Sequence, residues 1–227
     1  MDLDSLWAQI EQEQSWRTDE IRFFDNHAAG LPTEDQDKFR RANILVLYSH
    51  YEGFCKFVFS LYVNAINSAT LKGVDVNFSI LAASLNDVFK ALRNPEIKSS
   101  EFGTSSPEDK KLHIFYRDKS FLEKLNDFEN QIVVIPDSIV DTESNLKPVV
   151  LRKNLYRLGF PHDGLKSVEG TIHRLLHIRN EIAHGASNRG IPVGEYQDIR
   201  NAAFDVMNAV KRYVMNSLTK SEYLRRA

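Results

Sequence analysis

The segment Arg179-Asn180-Glu181-Ile182-Ala183-His184-Gly185 places a phosphate binder and a neutral-pH proton carrier five positions apart. The guanidinium of Arg179 carries a permanent charge and a planar fork of donors that fits a phosphate. The imidazole of His184 exchanges a proton between about pH 5 and 8. With Asn180 as a polar neighbour, these groups suffice to cut a phosphodiester without a metal, provided that RNA supplies its own 2′-hydroxyl as the nucleophile.

The same segment is also typical of an ordinary helix end. Gly185 would then follow the last helical residues, and His184 would bind the last free carbonyls. Helical rotation of about 100° per residue separates Arg179 and His184 by about 140° around the axis. Their tips meet only through the length of Arg179, through local unwinding before Gly185, or through a second copy across a two-fold axis. The spacing leaves all of these interpretations open.

Several segments resemble one known family. Arg179-Asn180-x-x-Ala183-His184-Gly185 resembles the Arg-x4-6-His motif of the HEPN superfamily, whose all-helical domains include many metal-independent RNases of toxin–antitoxin and phage-defence systems. Four further segments are similar to segments of the bacterial MAE-type HEPN-like nucleases. These segments are Ser15-Trp16-Arg17, Glu20-Ile21-Arg22, Tyr48-Ser49-His50-Tyr51-Glu52-Gly53-Phe54 and Glu143-Ser144-Asn145-Leu146. The similarity covers most of the chain and is weakest between residues 70 and 130.

The resemblance implies an endoribonuclease that needs no cofactor and no metal. It assigns Arg179 to the scissile phosphate, His184 to proton transfer, and Asn180 to orienting the phosphate or the histidine. It also implies a homodimer with a composite cleft, an RNA substrate, and an antitoxin or defence-system partner. A rival interpretation keeps the fold and the cleft without catalysis, as a nucleotide- or RNA-binding interaction module that acts with a partner protein.

Two supporting residues are expected on the second predicted helix. His50 and Glu52 lie there among aromatic residues, where charged groups are rarely buried without partners. We expect Glu52 to accept a hydrogen bond from a neighbour such as Arg179, or to orient Arg179 or His184. Basic residues elsewhere on the first two helices are candidate phosphate contacts, although solvated surface charge is the commoner outcome, and these are Arg17, Arg22, Arg40 and Arg41.

The predicted helix over residues 164–184, which ends in the Arg179–His184 motif, also carries a stripe of histidines. His173, His177, Asn180 and His184 fall on one side of it, which predicts that His177 lines the cleft or a dimer contact. A zinc site is the weaker interpretation. The three residues between His173 and His177 include no glutamate and place an arginine beside the stripe.

Composition limits the remaining possibilities. The 227 residues are 42 % hydrophobic and 26 % charged, as expected for a globular chain with a proper core. A net charge of −2 gives no global attraction to nucleic acid, so any RNA contact needs a local basic cleft. The single Cys55 excludes an internal disulfide and favours a reducing cytoplasm. No signal-peptide pattern, membrane-length apolar run or glycine-rich nucleotide loop occurs in the sequence.

The spacing of apolar residues predicts an all-α bundle that forms one domain over residues 1–227. The predicted helices cover residues 3–27, 33–69, 81–92, 121–128, 145–158, 164–184 and 195–218. The segment from about residue 70 to 147 is less regular, with an exposed loop over 98–111 and a lone strand-like run, Ile132–Pro136. Thr33 to Gln36 fits a capping box. The helix over 33–69 is apolar on more than one side, which predicts a central position or contact with a second subunit.

Overall fold

The computed structural model describes residues 2–99 and 109–225, and within those ranges the chain forms eight α-helices. They are α1 (Leu3–Ala29), α2 (Thr33–Ser68), α3 (Phe78–Ser84), α4 (Asn86–Arg93), α5 (Lys110–Leu125), α6 (Pro148–Arg157), α7 (Lys166–Ala183) and α8 (Val193–Thr219). One 3-10 turn covers Asp137–Ile139, and the described residues form isolated bridges but no β-strand. The all-α prediction is therefore confirmed.

The long helix α2 lies at the centre of the bundle, where α1, α7 and α8 pack around it. Its buried side chains recur on several sides, and the largest fully buried ones are Ile44, Leu47, Tyr51, Phe54, Phe59, Tyr62 and Ile66. Three neighbouring helices of the same chain cover these sides, so the apolar pattern of α2 does not by itself require a second subunit. None of the helices in the described ranges has the length and apolarity that a membrane span needs.

The capping box predicted at the start of α2 is wrong. α2 begins at Thr33, and the residue before the helix is Pro32, whose carbonyl accepts from the N–H groups of Asp35 and Gln36 at 2.9 and 3.1 Å. The side chain of Gln36 does reach back, but it donates to the Leu31 carbonyl at 3.0 Å. Pro32 fixes an extended backbone there and leaves Thr33 inside the first turn.

The central segment contains more helix than the sequence predicts. The single helix expected over 81–92 is two helices, α3 and α4, which meet at Leu85. The helix expected over 121–128 is the end of the longer α5. Asp109 begins α5 by accepting hydrogen bonds from the backbone of the next turn. The rest of the predicted loop lies mostly outside the described residues.

The strand-like run Ile132–Pro136 is extended without belonging to a sheet. Asn67, near the end of α2, pairs with the backbone of Ile135 in both directions, at 2.8 and 3.0 Å. Val133 and Ile135 are buried, whereas the alternate side chains are exposed. At Ile135 an asparagine side chain thus supplies the hydrogen bonds that a neighbouring strand would give, while the Val133 N–H donates to the Leu71 carbonyl at 2.8 Å.

Candidate functional site

The guanidinium of Arg179, near the end of α7, is anchored through one of its three nitrogens. Nη1 donates to Asn145 Oδ1 at 3.2 Å and to Asn180 Oδ1 at 2.9 Å. The Cζ atom lies 4.7 Å from the centroid of the Tyr48 ring. No described residue accepts a hydrogen bond from Nε or Nη2. These two nitrogens carry parallel N–H bonds, which is the geometry of bidentate phosphate binding.

Tyr48 of α2 contacts the guanidinium of Arg179 with the face of its ring. Its phenol donates to Asn145 Oδ1 at 3.3 Å and accepts from the backbone N–H of Leu146 at 3.1 Å. Burial raises the pKa of Tyr48 to about 12, and the carboxylate of Glu52 contributes to the increase. The phenol therefore stays protonated at neutral pH. Tyr48 serves as a hydrogen-bonding group and a cation–π partner for Arg179, not as a base.

Among the described contacts, Glu52 is linked to Arg179 through Tyr48. It lies one helical turn beyond Tyr48, and its charge contributes to the raised pKa of the phenol. The hydrogen bond expected from Arg179 to Glu52 is absent from the described contacts, because the oxygens of Asn145 and Asn180 take the Nη1 donor instead. Support by Glu52 through the tyrosine stays a prediction.

His50 faces a different side of α2 and belongs to a second polar cluster, formed with α1. Its Nε2 lies 2.7 Å from a carboxylate oxygen of Glu20, and its Nδ1 lies 3.4 Å from Nη1 of Arg17. The ring is 4 % exposed and packs edge-on against Trp16. None of these described contacts involves Arg179 or His184, so within one protomer His50 is not part of the same constellation.

Arg17 is the basic residue of this second cluster. It pairs with Glu13 at 2.9 Å, stacks on Trp16 at 4.2 Å, and lies beside the backbone of Gly53. Its side chain is mostly buried, which is unsuitable for the phosphate contact that the sequence suggested. The cluster ties α1 to α2 instead.

His50 should make stability depend on pH. Burial lowers the pKa of His50 and outweighs the raising effect of Glu20, while Arg17 adds to the lowering. Below about pH 6.5, His50 binds a proton in the unfolded chain but stays neutral in the folded protein until a lower pH. Acidification therefore favours unfolding. We expect the melting temperature to fall less between about pH 6.5 and 5 in His50→Gln than in the wild type. Thermal melts across pH test this, with the exposed His173→Gln as control, and parallel curves for His50→Gln and the wild type would contradict it.

His184 is the first residue past the last turn of α7. Its backbone N–H donates to the Asn180 carbonyl at 3.0 Å, and Gly185 follows with a φ of +66°, a conformation that glycine adopts readily. The helix-end interpretation is therefore right for the backbone. The imidazole itself is exposed and has no hydrogen-bond partner among the described residues. No hydrogen bond joins it to the Arg179 guanidinium among the described contacts of the protomer.

The loop after His184 is fastened to the start of α2. Arg41 donates to the Ser187 carbonyl at 2.5 Å, and the Nε of Arg40 donates to the Ile191 carbonyl at 2.9 Å. The Ile191 N–H donates to the Asp37 carbonyl at 2.9 Å. The buried Arg40 is thus a structural residue rather than a phosphate contact. Both arginines fasten the loop that follows His184.

The remaining predicted residues show no metal-binding arrangement. His177 is largely exposed, and its Nε2 lies 3.6 Å from the Glu181 carboxylate. Within the described ranges, no three side chains of histidine, cysteine, aspartate or glutamate come close enough together to hold a metal ion. The structure assigns no partner to His177 beyond this glutamate, and a place in a cleft or dimer contact stays a prediction.

Comparison with known proteins identifies the family. A sequence model of the RiboL-PSP-HEPN family matches residues 13–216, which is most of the chain. The chain therefore belongs to the RiboL-PSP-HEPN family, and the predicted membership of the HEPN superfamily is confirmed; the narrower MAE-type resemblance stays a prediction. No curated protein and no solved structure matched the chain in the same comparisons. HEPN membership is generally associated with RNase activity.

Proposed function

We propose that the protein is a metal-independent endoribonuclease of HEPN type. The observation that carries the proposal is the arrangement of Arg179. Its guanidinium is anchored through Nη1 and stacked on Tyr48, while Nε and Nη2 have no acceptor among the described residues. A fixed arginine with a free fork is suited to a phosphate, and a freely accessible imidazole follows it along the chain at His184.

The proposed chemistry is transfer of the phosphoryl group to the neighbouring 2′-oxygen. A bond forms between the 2′-oxygen and phosphorus, and the bond from phosphorus to the 5′-oxygen breaks. His184 takes the proton from the 2′-hydroxyl or gives a proton to the leaving oxygen. Arg179 binds the phosphate and stabilises the charge that develops on its oxygens. Asn180, through the oxygen that holds Nη1, orients Arg179.

A two-fold dimer is part of the proposal because no hydrogen bond joins Arg179 and His184 among the described contacts of one protomer. The Arg179 guanidinium lies over the Tyr48 ring of α2, whereas His184 is exposed. A second copy of α7 would supply the missing group to each site. Light scattering at micromolar concentration should therefore give twice the chain mass of 26.1 kDa. A monomer under these conditions would exclude the composite site.

The direct test is RNA cleavage by the purified protein in the presence of EDTA. We expect cleavage by the wild type and none by Arg179→Ala at equal concentration. In cells, expression of the wild type should stop growth and Arg179→Ala should not, as expected of a toxin or phage-defence effector. RNA binding without cleavage would instead favour the rival interpretation, an RNA-binding module that acts with a partner protein.

A further inference from the structure

Asn145 sits in a turn with an unusual backbone. Glu143 and Ser144, the two residues before it, have φ angles of +49° and +62°. This left-handed region is costly for residues other than glycine, and such conformations persist only where the surrounding structure imposes them. Two consecutive residues of this kind make the backbone of the turn strained. Asn145 is the next residue after them.

The surrounding bonds that impose the turn come from both sides. On the α6 side, the buried Asn154 donates to the Asp141 carbonyl at 2.7 Å and accepts from the Asp141 N–H at 3.1 Å. Asp141 in turn accepts from the Glu143 N–H at 2.8 Å. On the α2 side, the Leu146 carbonyl accepts from the phenol of Tyr51 at 3.0 Å. Asn145 is thus positioned by two helices.

The side chain of Asn145 links the turn to Arg179 of α7 and to Tyr48 of α2. The contacts of its own backbone run to the neighbouring Thr142 and Lys147, while its Oδ1 accepts from Arg179 and from Tyr48. The Tyr48 phenol also accepts from the Leu146 N–H, so its oxygen keeps a partner without Asn145, whereas its O–H loses the acceptor that Asn145 provides. Among the described contacts, the acceptor that this turn offers to the Arg179 guanidinium is Asn145 Oδ1.

We propose that Asn145 is a positioning residue for Arg179. By accepting from Nη1, its Oδ1 fixes the rotation of the guanidinium, so that Nε and Nη2 point away from Asn145 and meet no acceptor in the described part of the chain. The proposal rests on the proposed function only in requiring that Arg179 binds an RNA phosphate. Without Asn145, Arg179 keeps its charge but samples other orientations. The loss of conformational entropy on ordering its side chain then weakens the binding of RNA.

The experiment measures binding, not cleavage, of mixed-sequence single-stranded RNA with 2′-O-methyl sugars. Asn145→Ala should weaken binding about tenfold, and Arg179→Ala at least as much. The double variant should bind no more weakly than Arg179→Ala alone, because Asn145 acts through that arginine. Asn208→Ala is the matched control: Asn208 is exposed and also accepts a side-chain hydrogen bond, from Gln14 at 2.6 Å. It should bind like the wild type.

Two results would overturn the proposal. Losses that add in the double variant would show that Asn145 acts independently of Arg179, as a general structural residue would. Unchanged binding by Asn145→Ala would show that Arg179 does not need it. Coupling between the two positions in a protein that fails to cleave RNA would support the positioning role and overturn only the proposed nuclease activity, so the two failures are distinguishable.

Discussion

Replacement of His184 by alanine should lower the rate of RNA cleavage by about 10²–10⁴-fold, the usual contribution of a positioned proton carrier. The stability should change by about 1 kcal/mol or less. The imidazole is exposed and unpartnered in the described structure, so its removal leaves neither a cavity nor an unsatisfied polar group. His162→Ala, which removes another partly exposed histidine, is the matched control and should cleave like the wild type.

Arg179→Ala should cause a loss of similar size, about 10²–10³-fold, because the donors that face the developing charge disappear. Arg179→Lys should fail as well. A single ammonium group cannot bind the oxygens of Asn145 and Asn180 and still present a two-pronged fork to a phosphate. Arg212→Ala, on the exposed side of α8, controls for the loss of one positive charge. Cleavage at the wild-type rate by either Arg179 variant would refute its assignment.

The second large effect concerns the products and the metal requirement. Cleavage should continue in EDTA and should leave a 2′,3′-cyclic phosphate and a 5′-hydroxyl. The reason is the set of groups at the site: a phosphate-binding fork and a proton carrier suit an intramolecular nucleophile, whose reaction gains from proximity. The carboxylate cluster that a two-metal nuclease needs has no counterpart among the described residues. DNA of the same sequence should resist, since it lacks the 2′-hydroxyl.

Mass spectrometry of the fragments distinguishes the alternatives. A 3′-hydroxyl with a 5′-phosphate is the product of attack by an external water or hydroxide, and it would contradict the intramolecular route. Loss of all activity in EDTA, restored by an added divalent cation, would do the same.

Helical periodicity was sufficient to predict the elements that position the site. The predicted motif helix over 164–184 corresponds to α7, and its end is marked by Gly185 with a positive φ, as the sequence indicates. The central helix over 33–69 corresponds to α2, which ends one residue earlier. These features succeed because apolar spacing and helix-ending glycines act locally along the chain.

The contacts around Arg179 were not predictable in the same way. Asn145 is 34 positions away in sequence, and nothing local indicates that its oxygen would take the donor that the sequence analysis assigned to Glu52. His50 and Glu52 are two positions apart on α2, yet one faces α1 and the other Tyr48. Which face of a central helix meets which neighbour depends on the packing of the whole bundle. Sequence spacing therefore gave the residue types of the site but not all of their partners.

The most direct test of the central claim is the cleavage of one RNA in two forms. The first is all-ribose and is used to map the cut; the second carries a single 2′-deoxy sugar on the 5′ side of that cut. The proposed mechanism predicts that the wild-type protein cuts the first in EDTA and leaves the second intact at the mapped bond, because the attacking oxygen is missing. Equal cleavage of both RNAs at that bond would contradict the mechanism, whatever the effects of Arg179→Ala and His184→Ala.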